Sequence, residues 1–170
     1  LEPTQWLDTD RDGWGDNQNP AATQIDAFPD EPSQWIDSDL DGFGDNSSGY
    51  EADSCKDRAG TSTMDRFGCP DADGDGYSDA DGSWTIGDGA DVYPADPAKW
   101  SDFDGDGLGD NWGNSTWLDR PQTWPGEYVE FINQNEQDAC PFQAGTSNQQ
   151  GIYGCPDFDG DGWSDGLDVF

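Results

Sequence analysis

The sequence predicts an irregular fold with little regular secondary structure, arranged as an elongated tandem array of Asp-rich loops with local disulfides. Three observations predict it. An acidic nine-residue phrase recurs five times, the chain contains 23 glycines and 11 prolines, and its four cysteines fall at repeated places. Glycine and proline punctuate regular structure, and no stretch shows a sustained helical period. We therefore expect wrapped loops rather than helices or sheets.

The acidic phrase places Asp at loop positions 1, 3, 5 and 9 and glycine at position 6. Alternate carboxylates at this spacing converge on one hard cation, and the glycine permits the sharp turn that brings the next residue's carbonyl inward. An all-oxygen ligand set of this kind is typical of calcium sites, so we expect at least five calcium ions and up to about ten. The copies, loops 1 to 5, span residues 8–16, 37–45, 71–79, 102–110 and 157–165.

The composition excludes several classes of protein. The net charge is -32, and the six Lys and Arg residues are scattered singly, so nucleic acid would be repelled. No run of eighteen apolar residues is present to insert into a membrane. Leu, Ile, Val and Phe together number only 22, too few for an ordinary core. We expect the metal-free chain to be largely unfolded and bound cations to supply much of its folding free energy.

An additional Asp follows each loop, two residues before a cysteine or an aromatic residue. In loop 5 it falls at position 12, where a calcium loop places its bidentate carboxylate. In the other four loops an insertion separates it from position 9, and we interpret all five residues as the same ligand, the closing Asp. The alternative is that Asp is merely common in so acidic a chain. The five closing residues are Asp26, Asp53, Asp91, Asp138 and Asp168.

Two similar linkers, 28–35 and 93–100, each end two residues before the next loop. They predict a partial calcium repeat at 1–30 and a repeat unit with two calcium loops and a disulfide at 31–95. A second such unit, with a Trp-rich insert as well, is predicted at 96–170. The segment 123–132 alone has strand character, with Pro-Gly as the turn of a short hairpin.

Four cysteines allow three disulfide connectivities. Cys55 and Cys69 enclose an Ala-Gly-Thr-Ser segment, and Cys140 and Cys155 enclose the same four residues. This internal repeat favours pairing within each unit. Structural disulfides indicate an oxidising compartment, so we expect a secreted or cell-surface protein outside the cytosol.

Two sequons and nine tryptophans offer further candidate sites. Asn46 and Asn114 each begin an Asn-x-Ser/Thr sequence soon after a loop, which predicts glycosylation. The tryptophans that precede three loops are expected to form small local cores over the metal sites; these are Trp6, Trp35 and Trp100. For the insert, a sugar-stacking surface and a packing role both stay open; its aromatic residues are Trp112, Trp117, Trp124 and Tyr128.

The phrase Asp-x-Asp-x-Asp-Gly-x-x-Asp with a closing Asp and then Cys-Pro resembles the thrombospondin type 3 repeat, most closely at 138–141 and 154–162. The resemblance implies an irregular, calcium-organised extracellular rod or coil without catalytic activity. It also implies that each ion is held by the four Asp residues of a loop, the carbonyl of position 7 and the closing Asp. The insertions are longer than that family usually carries, and three closing segments end in an aromatic residue instead of cysteine.

Carried onto this chain, the implied ligands of the five loops include every Asp of the phrase. They are Asp8, Asp10, Asp12, Trp14, Asp16 and Asp26; Asp37, Asp39, Asp41, Phe43, Asp45 and Asp53; Asp71, Asp73, Asp75, Tyr77, Asp79 and Asp91; Asp102, Asp104, Asp106, Leu108, Asp110 and Asp138; and Asp157, Asp159, Asp161, Trp163, Asp165 and Asp168.

These patterns predict a calcium-rigidified extracellular structural protein, either a rod or a segment of a fibre. Residues 168–170 followed by 1–6 nearly rebuild the linker phrase of 26–35, which predicts either head-to-tail self-association into a filament or a longer covalent array. The alternative is a calcium-dependent adhesin or glycan-binding module that uses the insert at 111–137. The chain has 38 acidic residues, so carboxylate pairs are unavoidable, but it has no histidine and no nucleophile motif. We expect no enzymatic activity.

Overall fold

A computed structural model describes residues 3–113, 123–130, 132 and 137–168. Within these ranges the regular structure is one 3₁₀ helix, Ile86–Asp88, and two strands, β1 Asn148–Gln149 and β2 Ile152–Tyr153. The strands pair antiparallel, with Asn148 opposite Tyr153. Turns, bends and isolated bridges make up the rest, which confirms the prediction of an irregular fold with little secondary structure. No helix among the described residues is long and apolar enough to cross a membrane.

The hairpin predicted at 123–132 is wrong for the part of that segment that the structure describes. Its residue Tyr128 forms only an isolated parallel bridge with Trp112. A Cβ added at Gly126 would lie 2.2 Å from the carbonyl oxygen of Asp110, so this segment packs closely against the end of loop 4. The observed hairpin turns instead at Gln150 and Gly151, whose φ angles of 51° and 76° suit a two-residue turn.

The chain forms two compact units, Leu1–Asp79 and Ala80–Phe170. Loops 1 to 3 belong to the first unit, and loops 4 and 5 belong to the second. The repeat boundaries predicted at 30/31 and 95/96 describe the sequence pattern and remain predictions, because a compact unit and a repeat are different divisions of the chain.

Polar side chains fill much of the interior of both units. Among the described residues the buried hydrophobic ones are Cys69, Ala90, Ile132 and Cys155, whereas fourteen polar or charged residues are buried. Trp35 stacks on Trp14 with ring centroids 6.3 Å apart. Trp6 is 75% exposed, so its predicted place in a local core is wrong. The preceding residue, Gln5, is the one that enters the interior.

The disulfides are Cys55–Cys69 and Cys140–Cys155, the pairs that the internal repeat favours. The serine of each Ala-Gly-Thr-Ser segment is buried. Its hydroxyl oxygen accepts a hydrogen bond from the backbone N–H of the second cysteine, at 3.1 Å for Ser62 and 3.0 Å for Ser147. Each disulfide therefore closes a small polar module that has the same internal geometry in both units.

Candidate metal centres

The carboxylates at loop positions 1, 3 and 5 come together in all five loops. In each loop one oxygen from each of the three Asp residues lies within 4.8 Å of the other two. In loop 2 the backbone creates this arrangement, because Asp37 accepts hydrogen bonds from the N–H groups of Leu40 and Gly42, at 2.7 and 3.0 Å. The φ angles of Leu40 and Gly42 are 68° and 97°, so the chain turns sharply at positions 4 and 6. Each triplet could hold a hard cation.

The Asp at position 9 makes different contacts from the three Asp residues at positions 1, 3 and 5. In every loop it accepts a hydrogen bond from the backbone N–H of position 2, at donor–acceptor distances between 2.9 and 3.3 Å. In loop 2 the Ser38 hydroxyl also donates to Asp45, at 2.6 Å. This residue therefore ties the two ends of the loop together, a role that the sequence reasoning missed. Its direct coordination of an ion stays a prediction.

Three closing Asp residues are buried against their own loops. Asp26, Asp53 and Asp138 have exposures of 0%, 3% and 0%. The backbone N–H of each donates at 2.9 Å to the carbonyl oxygen of position 8, which belongs to Gly15, Gly44 and Gly109. Insertions of very different length thus return the chain to the same point beside each loop.

In each of these three residues one carboxylate oxygen is satisfied and the other is not. The Oδ1 atom accepts a hydrogen bond from the N–H two residues later, at 2.6 to 2.7 Å. The buried Oδ2 atom of Asp26, Asp53 and Asp138 has no hydrogen-bond partner. A buried anionic oxygen without a partner is costly unless a proton or a cation neutralises it.

The closing carboxylate and the position-5 carboxylate face the same small space. A Cβ added at Gly154 would lie 2.3 Å from Asp138 Oδ1 and 2.9 Å from Asp106 Oδ2. At Gly68 the corresponding distances are 2.5 Å to Asp53 and 3.0 Å to Asp41. The glycine before the second cysteine leaves this space open.

The two remaining closing residues match the other three only in part. Asp91 is 2% exposed and its Oδ1 accepts a hydrogen bond from the Tyr93 N–H at 2.7 Å, as in the other three, but it belongs to the second compact unit and its loop to the first. Asp168 donates its backbone N–H to Ser164, at 2.9 Å. It lines a cavity of about 220 Å³ with Phe158, Asp159 and Asp165. The assignment of all five closing residues as ligands stays a prediction.

Burial and mutual repulsion raise the pKa values of three closing carboxylates, those of Asp26, Asp53 and Asp138. Desolvation is the largest cause, and the neighbouring carboxylates of the same loop add to it. The pKa is raised to about 6 for Asp26 and Asp53 and to about 7 for Asp138. In an unfolded chain these groups would have pKa values near the ordinary 3.8. The metal-free fold therefore opposes ionisation of the residues that a cation would require.

We expect calcium affinity to fall as the pH is lowered from 7.5 to 5.5, by about tenfold per pH unit below the raised pKa of a closing Asp. Because the folded-state pKa values of about 6 to 7 lie above the unfolded value of 3.8, the calcium-stripped fold should lose stability as the pH rises from about 4 to about 7, where the loss is complete. Calcium titrations and circular dichroism of the stripped chain at both pH values would measure the two trends. Equal calcium affinity at both pH values would contradict this account.

Each disulfide module contacts the loop that precedes it and the loop that follows it in the chain. In the second unit Gly145 donates its N–H to Asp106 of loop 4, at 3.1 Å, and Asn148 donates its N–H to the carbonyl oxygen of Gly162 in loop 5, at 2.8 Å. In the first unit Gly60 donates to Asp41 of loop 2 at 3.0 Å. The module therefore holds a position-5 carboxylate on one side and the backbone of the following loop on the other.

Replacing Gly154 by alanine should weaken calcium binding at loop 4, because the new Cβ would displace the carboxylate of Asp138. Gly151 is a matched control, since its φ of 76° is close to the 74° of Gly154 but no atom lies within 4 Å of an added Cβ. Both variants should lose about 1 to 2 kcal/mol of stability from the left-handed backbone. Only Gly154→Ala should also lower calcium affinity, measured by calorimetric titration. Equal calcium affinities in the two variants would contradict the assigned place of Asp138.

Buried amides are a second set of residues that the sequence reasoning missed. Gln34 is 2% exposed, and its amide nitrogen donates to the carbonyl oxygens of Asn46 and Tyr50 at 3.1 and 3.0 Å. Gln5 makes the equivalent contacts around loop 1. The Gln-Trp pair that precedes both loops is the sequence signal for this role.

The predicted glycosylation site Asn46 has a structural role. Its amide nitrogen, the atom that would carry a sugar, donates to the Ser33 carbonyl oxygen at 2.8 Å. Asn17 and Asn111 make the same type of bond at 2.7 and 2.8 Å, although neither begins a sequon. The shared geometry indicates that this asparagine fixes the linker, and glycosylation of Asn46 would leave only one N–H on the nitrogen that makes this bond. Asn114, the other predicted site, lies outside the described residues.

The aromatic residues of the insert pack on one another. Trp112 and Trp124 meet edge to face with centroids 6.3 Å apart, and Trp124 contacts Phe142 at 6.5 Å. The Trp124 indole N–H donates to the carbonyl oxygen of Asp110 at 2.9 Å. Phe142 and Phe103 are 52% and 66% exposed and lie 5.3 Å apart. The two tryptophans thus support loop 4, and the phenylalanines face solvent; Trp117 lies outside the described residues.

Comparison with known proteins found no family model that matches the chain and no matching curated protein. The structure itself defines the class of site: five Asp triplets suited to a hard cation, in an irregular chain with two disulfides. The resemblance to thrombospondin type 3 repeats rests on the sequence motif and stays a prediction.

Proposed function

We propose that the chain is an extracellular calcium-binding structural protein whose loops are ordered by the ions they hold. The observation that carries the proposal is the closing carboxylate of Asp138. It is 0% exposed, its Oδ2 has no hydrogen-bond partner, and its Oδ1 borders the same space, kept open by Gly154, as the position-5 carboxylate of Asp106. A cation in that space would neutralise both groups.

Calcium is the cation that best fits the donor set. The side-chain donors in the loops are carboxylates, the chain has no histidine, and all four cysteines are in disulfides. This excludes the nitrogen and sulfur ligands that zinc and copper prefer. Magnesium demands near-ideal octahedral geometry, whereas calcium accepts six to eight oxygens in flexible arrangements. An irregular loop that gathers carboxylates from distant positions suits the latter.

We infer a structural role because bound ions would hold the insertions in place and stiffen this chain. The described interior is mostly polar, so the loops cannot rely on a large apolar core. Ions that link each loop to its closing Asp would tether long insertions at fixed points and stiffen the repeats. We propose that this produces a rod or a fibre segment, with the head-to-tail assembly predicted from the sequence as one form of it.

Calorimetric titration of the stripped chain with calcium, and separately with magnesium, tests this proposal. We expect at least five calcium ions to bind and magnesium to bind at least about tenfold more weakly, because the loops do not enforce octahedral geometry. Stronger binding of magnesium than of calcium, or a stoichiometry of one or two calcium ions, would contradict it.

A second candidate function is calcium-dependent recognition of glycans. Phe103 and Phe142 favour it, because they form an exposed aromatic pair at loop 4, where a bound ion would lie nearby. Exposed aromatic rings can stack on the apolar faces of sugars. Glycan-array binding with calcium and with chelator would test this candidate, with Phe142→Ala as the variant that should lose binding. No calcium-dependent signal on the array would contradict it.

A further inference from the structure

A surface cavity of about 230 Å³ in the first unit combines aromatic walls with acidic residues. The rings of Phe28, Phe43 and Tyr50 line it together with the carboxylates of Glu31 and Glu51. Glu31 and Glu51 are not among the ligands predicted for the calcium loops. The acidic groups of this cavity are therefore separate from those predicted to bind calcium.

The acidic side of this cavity has no internal cation. Among the described residues, neither Glu31 nor Glu51 forms an ion pair with lysine or arginine. Both carboxylates are close to Tyr50: a hydrogen bond to Glu51, and then the negative charges of Glu51 and Glu31, raise the pKa of the Tyr50 hydroxyl. The residues that line the cavity therefore include both acidic and aromatic side chains. This combination attracts organic cations, since aromatic faces and carboxylates both stabilise an ammonium group.

The equivalent linker in the second unit contains such an ammonium. By alignment of 28–35 with 93–100, Tyr93 takes the place of Phe28 and Asp96 takes the place of Glu31. Lys99 in that linker places its Nζ atom 5.5 Å from the centre of the Tyr93 ring and 3.1 Å from the Asp96 carboxylate. The same pairing of an aromatic ring with an acid is thus occupied by a cation from the chain itself.

The first unit has glutamine at the position of Lys99. The Gln34 side chain packs against Gly44, with its amide group nearest, at the place where the aliphatic stem of Lys99 packs against Gly109. The Gln34 amide nitrogen, however, donates to two backbone carbonyl oxygens and carries no charge. The first unit therefore keeps the aromatic and acidic groups but lacks the ammonium that the second unit supplies internally.

We propose that this cavity binds an alkylammonium cation from outside the chain, either a free primary amine or the side chain of a lysine. The aliphatic part of the ligand would contact the rings of Phe28 and Phe43, and its charged end would lie near Glu31 and Glu51. A single ammonium held by exposed groups of this kind should bind with a dissociation constant of about a millimolar.

The test uses the full, calcium-loaded chain at constant ionic strength. Titration with n-butylammonium, followed by two-dimensional ¹H–¹⁵N NMR, should give saturable shifts at the backbone amides of Gly42, Gly44 and Tyr50. n-Butanol, which has a similar apolar part and no charge, should not. A second arm compares a short peptide containing one lysine with the same peptide containing norleucine, and so distinguishes a free amine from a protein side chain.

Two variants sharpen the result. Gln34→Lys should supply the missing ammonium, as Lys99 does in the other unit, and abolish binding of n-butylammonium. Glu51→Gln changes an exposed residue and should weaken binding about fivefold without disturbing the fold. Asp30→Asn is the matched control, because it removes one charge from an exposed linker residue that does not line the cavity.

Three results would overturn the proposal: equal binding of n-butanol, unchanged affinity in Glu51→Gln, or shifts that disappear when calcium is doubled, which would mark a further calcium site. If Gln34→Lys does not fold with calcium bound, the comparison of n-butylammonium affinity in Glu51→Gln and Asp30→Asn is sufficient to test the proposal. Failure of this test leaves the calcium loops unaffected, because stoichiometry at the Asp triplets is measured separately.

Discussion

Removal of calcium is expected to unfold both units rather than merely loosen them. Each loop gathers three carboxylates within 4.8 Å, and three closing carboxylates are buried beside their loops. Without cations this repulsion and desolvation are uncompensated. The described buried hydrophobic residues number only four, so the apolar core cannot offset the cost. Circular dichroism and tryptophan fluorescence in excess chelator at pH 7.5 should therefore report a largely unfolded chain.

The disulfides provide an internal control for this experiment. They close loops of 14 and 15 residues and should preserve local structure only. A chain with intact disulfides should thus lose its protease resistance in chelator and regain it when calcium is restored. A native-like, protease-resistant state in chelator would contradict the claim that ions supply much of the folding free energy.

The second large effect is expected from Asp138→Asn, which should weaken calcium binding at loop 4 by at least about tenfold. Asparagine keeps the volume of the side chain but removes the negative charge from a group that has no other partner for its Oδ2 atom. The affected loop ends 28 residues earlier in the sequence, so only the fold can connect them. Tenfold corresponds to about 1.4 kcal/mol of binding free energy.

Two further variants provide the comparisons needed to interpret this measurement. Asp168→Asn should weaken loop 5 in the same way, since it occupies the ordinary twelfth position of its loop. Asp30→Asn removes one exposed charge outside the loops and should leave every site intact. If Asp138→Asn binds as many ions as the unaltered chain with unchanged affinity, the ligand assignment across insertions is wrong.

Much of the loop architecture follows from the sequence because its causes are local. Asp at alternate positions with glycine at position 6 is sufficient to turn the chain around a point, and the structure brings the three carboxylates together in every copy. The duplicated Ala-Gly-Thr-Ser segment likewise predicted the disulfide pairs. Because the same local pattern recurs and adopts the same geometry each time, these features can be predicted from the sequence.

Features that depend on distant contacts could not be read in this way. Gln34 is buried because it bonds to carbonyl groups 12 and 16 residues later, whereas nothing in its composition marks it as an interior residue. Trp6 is large and apolar, yet the interior place beside loop 1 goes to Gln5, whose amide can satisfy backbone groups. Whether one of these side chains is buried therefore depends more on the backbone groups to which it can hydrogen-bond than on its apolar area.

Diffraction from crystals grown in millimolar calcium, collected at a wavelength where calcium scatters anomalously, would locate the ions directly. We expect an anomalous peak among the position 1, 3 and 5 carboxylates of all five loops. We also expect the Oδ2 atom of Asp138 to lie about 2.3 to 2.6 Å from the ion of loop 4. Loops without peaks, or a loop 4 ion that Asp138 does not touch, would contradict it.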